Sequence, residues 1–199
     1  LLAGVVAVTP GSDVTFEDVL FSPTRNRFAT PLASAGVDFD VVARDERMGE
    51  PVVTVRVRPD SDDLRAFDVE PSEVPALVDE IPALAAVAAF APGGARFDGI
   101  GELRVKESDR IDSMVDLLGA FGVETEAGPE RLVVRGGTAR RPEGTLPPTV
   151  DHRIAMAAVI LAAGVSARDR GGPIPVDLSV AAVSHPTFAA DLERLCVDS

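Results

Sequence analysis

Three stretches of this 199-residue chain repeat one plan, and that repetition limits the possible folds more than any other feature. The first stretch runs from an apolar helix, Leu1–Val8, past Gly11 to a strand, Val14–Val19. It continues through Pro23-Thr24-Arg25-Asn26-Arg27 into a second helix that ends at Ala35-Gly36-Val37. The second has an apolar helix, Pro82–Ala91, the pair Gly93-Gly94 and a short strand at Ala95–Asp98. Its basic segment Lys106–Arg110 opens a helix closing at Phe121-Gly122-Val123. The third has an apolar helix, Ile154–Ala163, closed by Gly164, and a strand near Val176–Val180. It ends with Ser184-His185-Pro186-Thr187 and a last helix, Phe188–Leu195. Gly36-Val37 and Gly122-Val123 lie 86 residues apart, and a glycine there suits the left-handed residue that ends a helix. Alternating runs then predict paired strands: Val52–Val57 in the first unit, and Val123–Glu126 with Arg131–Val134 around Gly128-Pro129 in the second. The fold class is therefore α/β (α+β), three β-α-β-α-β-β units with helices inside and small sheets outside. No unit buries its own apolar face, so the units must pack together.

Composition narrows the partners. With 46% hydrophobic residues the chain can fill one sizeable core, and we expect a single domain over residues 1–199. No apolar run approaches the ~20 residues of a membrane span. The chain opens on Leu1-Leu2-Ala3-Gly4, with neither methionine nor a basic region before the apolar run. That opening reads as the inside of a longer protein and not as a signal peptide. One cysteine, Cys196, leaves no internal disulfide and fits a reducing compartment, hence the cytoplasm. A net charge of −13 argues against nucleic acid, whose phosphates demand clustered cations. It also repels small anions, so an anionic ligand needs a local basic patch. Of 19 cations, 18 are arginine and one is Lys106. An acidic, lysine-poor surface is what a salt-adapted protein shows, although GC-rich codon usage also favours arginine.

The chemistry gathers at helix entrances. A helix N-terminus carries partial positive charge and disfavours cations, yet Arg25 and Arg27, then Lys106 and Arg110, then His152 and Arg153 stand at such places. Together with the free N–H groups they make sites for phosphate or carboxylate. Arg25 and Arg27 read equally well as solvated arginines. The lone lysine and both histidines, His152 and His185, fall at these entrances, and lysine can release a proton where guanidinium cannot. Asp109 is a natural helix cap. Glu107, outside the helix between two cations, is a general acid or base candidate. Asp79 and Glu80 precede Pro82 and, from sequence alone, serve the helix dipole. There is no GxGxxG or P-loop, and two histidines with one cysteine, widely separated, make no zinc site.

At these residues the sequence resembles the 5-enolpyruvylshikimate-3-phosphate synthase family, the 3-phosphoshikimate 1-carboxyvinyltransferases. Arg104-Val105-Lys106-Glu107-Ser108-Asp109-Arg110 looks like the family's VKE[ST]DR motif, and Asp151-His152-Arg153-Ile154-Ala155-Met156 like its DHR-x-AM motif. Asp79 stands 27 residues before Lys106, where the family places its catalytic aspartate, and Pro23-Thr24-Arg25 matches a family turn. The match covers the whole chain but only the C-terminal half of the family's protein. The resemblance implies transfer of the enolpyruvyl group of phosphoenolpyruvate to the 5-hydroxyl of shikimate 3-phosphate in the shikimate pathway. Phosphate would leave through a tetrahedral intermediate, without metal or cofactor. Carried over by position, Asp79 and Glu107 are the acid–base carboxylates and Lys106 bridges both substrates. Arg110 and Arg153 grip phosphoenolpyruvate with His152 beside them, and Glu102 joins the substrate-binding set.

The same resemblance implies a monomeric full-length enzyme whose N-terminal domain supplies the other wall of the site, and an inactive fragment without it. The acidic, lysine-poor composition adds the expectation of a halophilic archaeal source. Where many members have Lys-Thr-Phe-Pro before the last helix, this chain has Val183-Ser184-His185-Pro186-Thr187-Phe188, and His185 is not given the lysine's role. The rival readings are the sister transferase acting on UDP-N-acetylglucosamine, a non-catalytic repeat or interaction domain, and a nucleic-acid-processing relative of the fold.

Overall fold

A computed structural model describes residues 1–22, 26–169 and 171–197. Its centre is helical. Helix α6 (His152–Asp169) is buried on nearly every side from Ile154 to Val165, and all eight residues of α4 (Ile81–Ala88) are buried. A helix that is apolar all round belongs inside a core. Helix α1 (Leu2–Val8) completes the centre. The three approach closely because two helical positions lack side chains. A Cβ at Gly4 would lie 2.7 Å from Ile160 Cδ1, and one at Gly164 would lie 2.4 Å from the Phe90 ring.

Two sheets cover this centre. In the first, β1 (Val14–Leu20) and β2 (Val37–Arg47) flank β3 (Glu50–Pro59), all antiparallel. Between β2 and β3 only Met48 and Gly49 turn the chain, both at positive φ, as a two-residue type I′ hairpin requires. Alternation then sorts the faces. Val53 and Val57 are buried, while Arg56 and Arg58 pair across the strand with Asp40 and Asp38. The second sheet has the order β4-β5-β7-β6: β4 (Phe67–Val69) is parallel to β5 (Ala95–Asp98), and β7 (Arg131–Arg135) lies antiparallel to β5 and to β6 (Glu124–Ala127). Phe97, Leu132 and Val134 face inward. Gly94 is obligatory, because a Cβ there would meet the Val134 carbonyl oxygen at 1.7 Å.

The remaining helices are short α2 (Ala29–Ser34) and α3 (Val74–Leu77), then α5 (Arg110–Ala120) and α7 (Phe188–Val197). Gly36 and Gly122 end their helices at φ 98° and 72°, as the repeat predicts. The third unit departs from the prediction. Gly164 does not close α6; it lies inside it, against Phe90, and the helix runs on to Asp169. No strand forms near Val176–Val180 among the described residues. Pro173 and Pro175 remove two ladder donors from this stretch, and Ile174, Val176 and Leu178 pack against the core without a sheet. So the interior is helical and two units carry outer sheets, but among the described residues the third carries none. Among the described residues no helix is long and apolar enough to cross a membrane.

Candidate active site

Two helix entrances meet beside the core. At α5 the Asp109 carboxylate caps the helix, accepting from the N–H groups of Ile111 (3.1 Å) and Asp112 (3.2 Å). Arg104 fastens the preceding 3-10 turn, Gly101–Val105, by bonding to Asp109, Asp112 and the carbonyls of Gly128 and Pro129. At α6 the cap is Asp151. Its Oδ1 accepts from Arg153 N–H (2.9 Å), and its own N–H donates to Thr149 Oγ1 (3.0 Å). Both helices therefore start on a fixed carboxylate, which holds the residues around each start in place.

Arg110 joins the two entrances. Its Nε donates to Asp151 Oδ2 at 2.8 Å and its Nη1 to Asp79 Oδ1 at 2.9 Å. Arg110 is only 3% exposed and Asp151 is fully enclosed, whereas Asp79 reaches solvent. Burial disfavours the ionised form of Asp79, but the Arg110 hydrogen bond and the fields of Arg153, Arg110 and Lys106 outweigh it. Its pKa lies below the ordinary aspartate value. Asp151 behaves alike: burial opposes its charge, and the bonds from Arg110, Arg153 N–H and Ser108 prevail.

Around this bridge lie three further pairs. Lys106 contacts Glu102. His152 Nδ1 is 2.9 Å from Glu107 Oε2, and Arg153 Nη1 donates to Glu80 Oε1 at 3.0 Å. The bond between His152 and Glu107 requires one proton, carried on Nδ1 or on the carboxyl. Three separate segments thus gather one group of residues. Asp79, Arg110, Asp151 and Arg153 form one hydrogen-bonded chain. The His152–Glu107 pair has ligand atoms within 4.8 Å of Asp151, and Lys106, paired with Glu102, adds its field at Asp79.

Not every predicted residue joins it. Arg25 lies outside the described residues, with Pro23 and Thr24. Arg27 is exposed and takes part in none of these pairs. His185 bonds to Asp191 at 3.2 Å, rests against the Phe188 ring and takes part in none of these pairs. Glu80 and Asp151 are the members that the sequence left without a role in the site. Glu80 passes for a dipole-favouring residue until its partner, 73 positions away, is known. Asp151 carries a legible signal, an aspartate heading an apolar helix, but its burial does not show in sequence. Glu107, Asp151 and His152 offer ligand atoms within 4.8 Å of one another. Asp151 already accepts from Arg110, Ser108 and Arg153, so a metal ion there would compete with a guanidinium for the same oxygens.

A helix-centred α/β repeat domain, with cations and two solvent-reaching carboxylates gathered at paired helix starts, defines a class of domain suited to acid–base work on small anions. The comparisons with known proteins sharpen that class. Residues 1–192 match the family model described as EPSP synthase (3-phosphoshikimate 1-carboxyvinyltransferase). A 3-phosphoshikimate 1-carboxyvinyltransferase of Thermus thermophilus is 42% identical over 195 residues, covering 96% of this chain and 43% of that protein. One from a Methylobacterium species is 40% identical, covering 94% and 41%. The 2.37 Å structure of EPSP synthase from Acinetobacter baumannii superposes with a TM-score of 0.78 at 32% identity, covering 97% of this chain and 44% of that one. The chain belongs to the EPSP synthase family. It spans somewhat less than half the length of the relatives it matches.

Proposed function

We propose that this chain is the C-terminal part of an enzyme that transfers the enolpyruvyl group of phosphoenolpyruvate to the 5-hydroxyl of shikimate 3-phosphate and releases phosphate. The observation that carries the reading is the meeting of two helix starts, which sets Lys106, His152 and Arg153 beside Asp79 and Glu107. Both substrates are anions, and the −13 net charge makes such a local cationic set necessary. Addition followed by elimination needs two proton carriers.

Asp79, held ionised, takes the proton of the 5-hydroxyl as that oxygen bonds to C2 of phosphoenolpyruvate. C3 receives a proton from the Glu107–His152 pair, giving a tetrahedral adduct. In the second half the Glu107–His152 pair takes a proton back from the new methyl group, and the C2–O bond to phosphate breaks as Asp79 returns its proton to the departing oxygen, restoring the double bond. Lys106 bridges the two ligands, with Glu102 beside it. Arg153 serves the phosphoenolpyruvate carboxylate or phosphate, for which its partner Glu80 would give way, while Arg110 keeps Asp151 and Asp79 and offers its remaining N–H groups to the same ligand. The other wall of the site, and most contacts to shikimate 3-phosphate, belong to the part of the protein beyond these residues. The chain by itself is inactive on this reading, and the complete enzyme is cytoplasmic and monomeric.

The test uses the full-length protein in high salt, as the acidic surface suggests, with phosphoenolpyruvate and either shikimate 3-phosphate or UDP-N-acetylglucosamine. Phosphate release with the shikimate acceptor is expected. Release with the nucleotide sugar alone would select the sister reaction, and release with neither would leave a non-catalytic module.

A further inference from the structure

We propose that Asp151 is a positioning residue: enclosed behind the site, it holds Arg110 against Asp79 and fixes the first turn of α6, so that the groups offered by three segments keep one arrangement. The proposal rests on the transferase reading above.

Asp151 touches no ligand position, since it has no exposed surface. The bonds of its carboxylate all go to the two helix entrances. Oδ2 takes Arg110 Nε (2.8 Å) and Ser108 Oγ (3.2 Å), which reach it from the α5 entrance. Oδ1 takes Arg153 N–H (2.9 Å) on its own helix. One carboxylate therefore sets the distance between the helix start bearing His152 and Arg153 and the helix start bearing Arg110. Arg110 in turn hands the constraint to Asp79 through Nη1 at 2.9 Å.

A helix cap alone does not call for this residue, because a neutral serine, threonine or asparagine caps as well. Nor does stability call for a buried ion pair, which apolar residues of similar volume often match or exceed. The charge of Asp151 is matched to Arg110, and Arg110 turns Nη1 to the carboxylate that the reaction uses as base. That division of bonds is what a part serving geometry would show.

The experiment compares full-length wild type with Asp151→Asn, which keeps the cap acceptor and the volume but removes the charge that anchors Arg110. Asp151→Ser, also a good cap, replaces it should the asparagine variant fail to fold. Carbon-13 NMR of the ligand-free protein follows the Asp79 carboxyl, identified by its disappearance in Asp79→Asn. In the variant, Asp79 is expected to titrate at higher pH than in wild type, because Arg110 no longer stays against it. In the assay, kcat/KM for phosphoenolpyruvate is expected to fall about 100-fold per folded enzyme, the order of loss from a small misplacement at a reacting centre.

Unchanged titration of Asp79, or a titration moved lower, would overturn the proposal. So would a variant that merely melts earlier while its KM and kcat stay as in wild type. If the wild type releases no phosphate from either acceptor, the transferase reading fails, while the NMR result still decides whether Asp151 holds Arg110 to Asp79.

Discussion

The outer face of the first sheet and the meeting of the α5 and α6 starts are built from the same residue types, arginine and aspartate. On the sheet, Arg58 lies 3.4 Å from Asp38 and 3.2 Å from Asp40, with the partners roughly two-fifths to half exposed. In the site, Arg110 and Asp151 are 2.8 Å apart and almost wholly enclosed. Water screens the first set, so each pair contributes little and the surface tolerates change. The second set has given up its hydration, so removing either partner leaves an uncompensated buried charge. The difference lies in surroundings and not in residue type: one arrangement keeps an acidic surface hydrated, the other fixes distances.

Removing one cation from each region tests that contrast. The largest effect is expected for Arg110→Ala, which should lower the unfolding free energy of the full-length protein by about 3–5 kcal/mol in denaturant titration. A loss below about 1 kcal/mol would place the buried pair in the same category as the surface ones. Acid makes the same point without mutation. Asp79 and Asp151 have pKa values below the ordinary aspartate value in the folded protein. The stability they contribute is therefore present above the unfolded aspartate value, about pH 4, and is lost as pH falls through their folded values. Asp151→Asn should flatten this acid limb of the stability curve, measured as denaturation midpoint against pH.

Next in size is Lys106→Arg. It preserves charge but not the ability to release a proton, and should cut kcat about 100-fold; near-normal turnover would show that charge alone matters there. Asp109→Ala removes a cap from α5 and should cost about 1 kcal/mol, seen as a modest drop in melting temperature. The smallest effect belongs to the sheet. Arg58→Ala should change stability by less than about 1 kcal/mol, and the change should shrink as salt is added.

How much of this was legible in the sequence depends on the reach of each interaction. Local rules found the Asp109 cap, the glycines at 36 and 122, the strands from Val52 and Arg131, and the helices around the core. The charged motifs marked both helix entrances. Failures came where distant parts decide. Gly164 has the look of a helix stop, but its missing side chain admits Phe90, and the packing of α6 overrides the weak helix propensity of glycine. Val176–Val180 has strand-forming residues but follows two prolines, and β-propensity expresses itself only where a partner strand is offered. Glu80 and Asp151 gain their meaning from partners 73 and 41 positions away, which no local pattern contains.

Arg168, near the end of α6, bonds to the carbonyl of Val8 at the end of α1, a contact between residues 160 positions apart. It also stacks on the Phe90 ring. During synthesis at about 5–20 residues per second, α1 would emerge roughly 8–30 seconds before the helix it packs against. Until then β3 and α4, made earlier, cover part of α1, and the flank that α6 will close stays open. The closure that gives the mature domain a single core thus makes its birth a waiting problem, one that a circularly permuted gene, bringing α1 and α6 close in order of synthesis, would shorten.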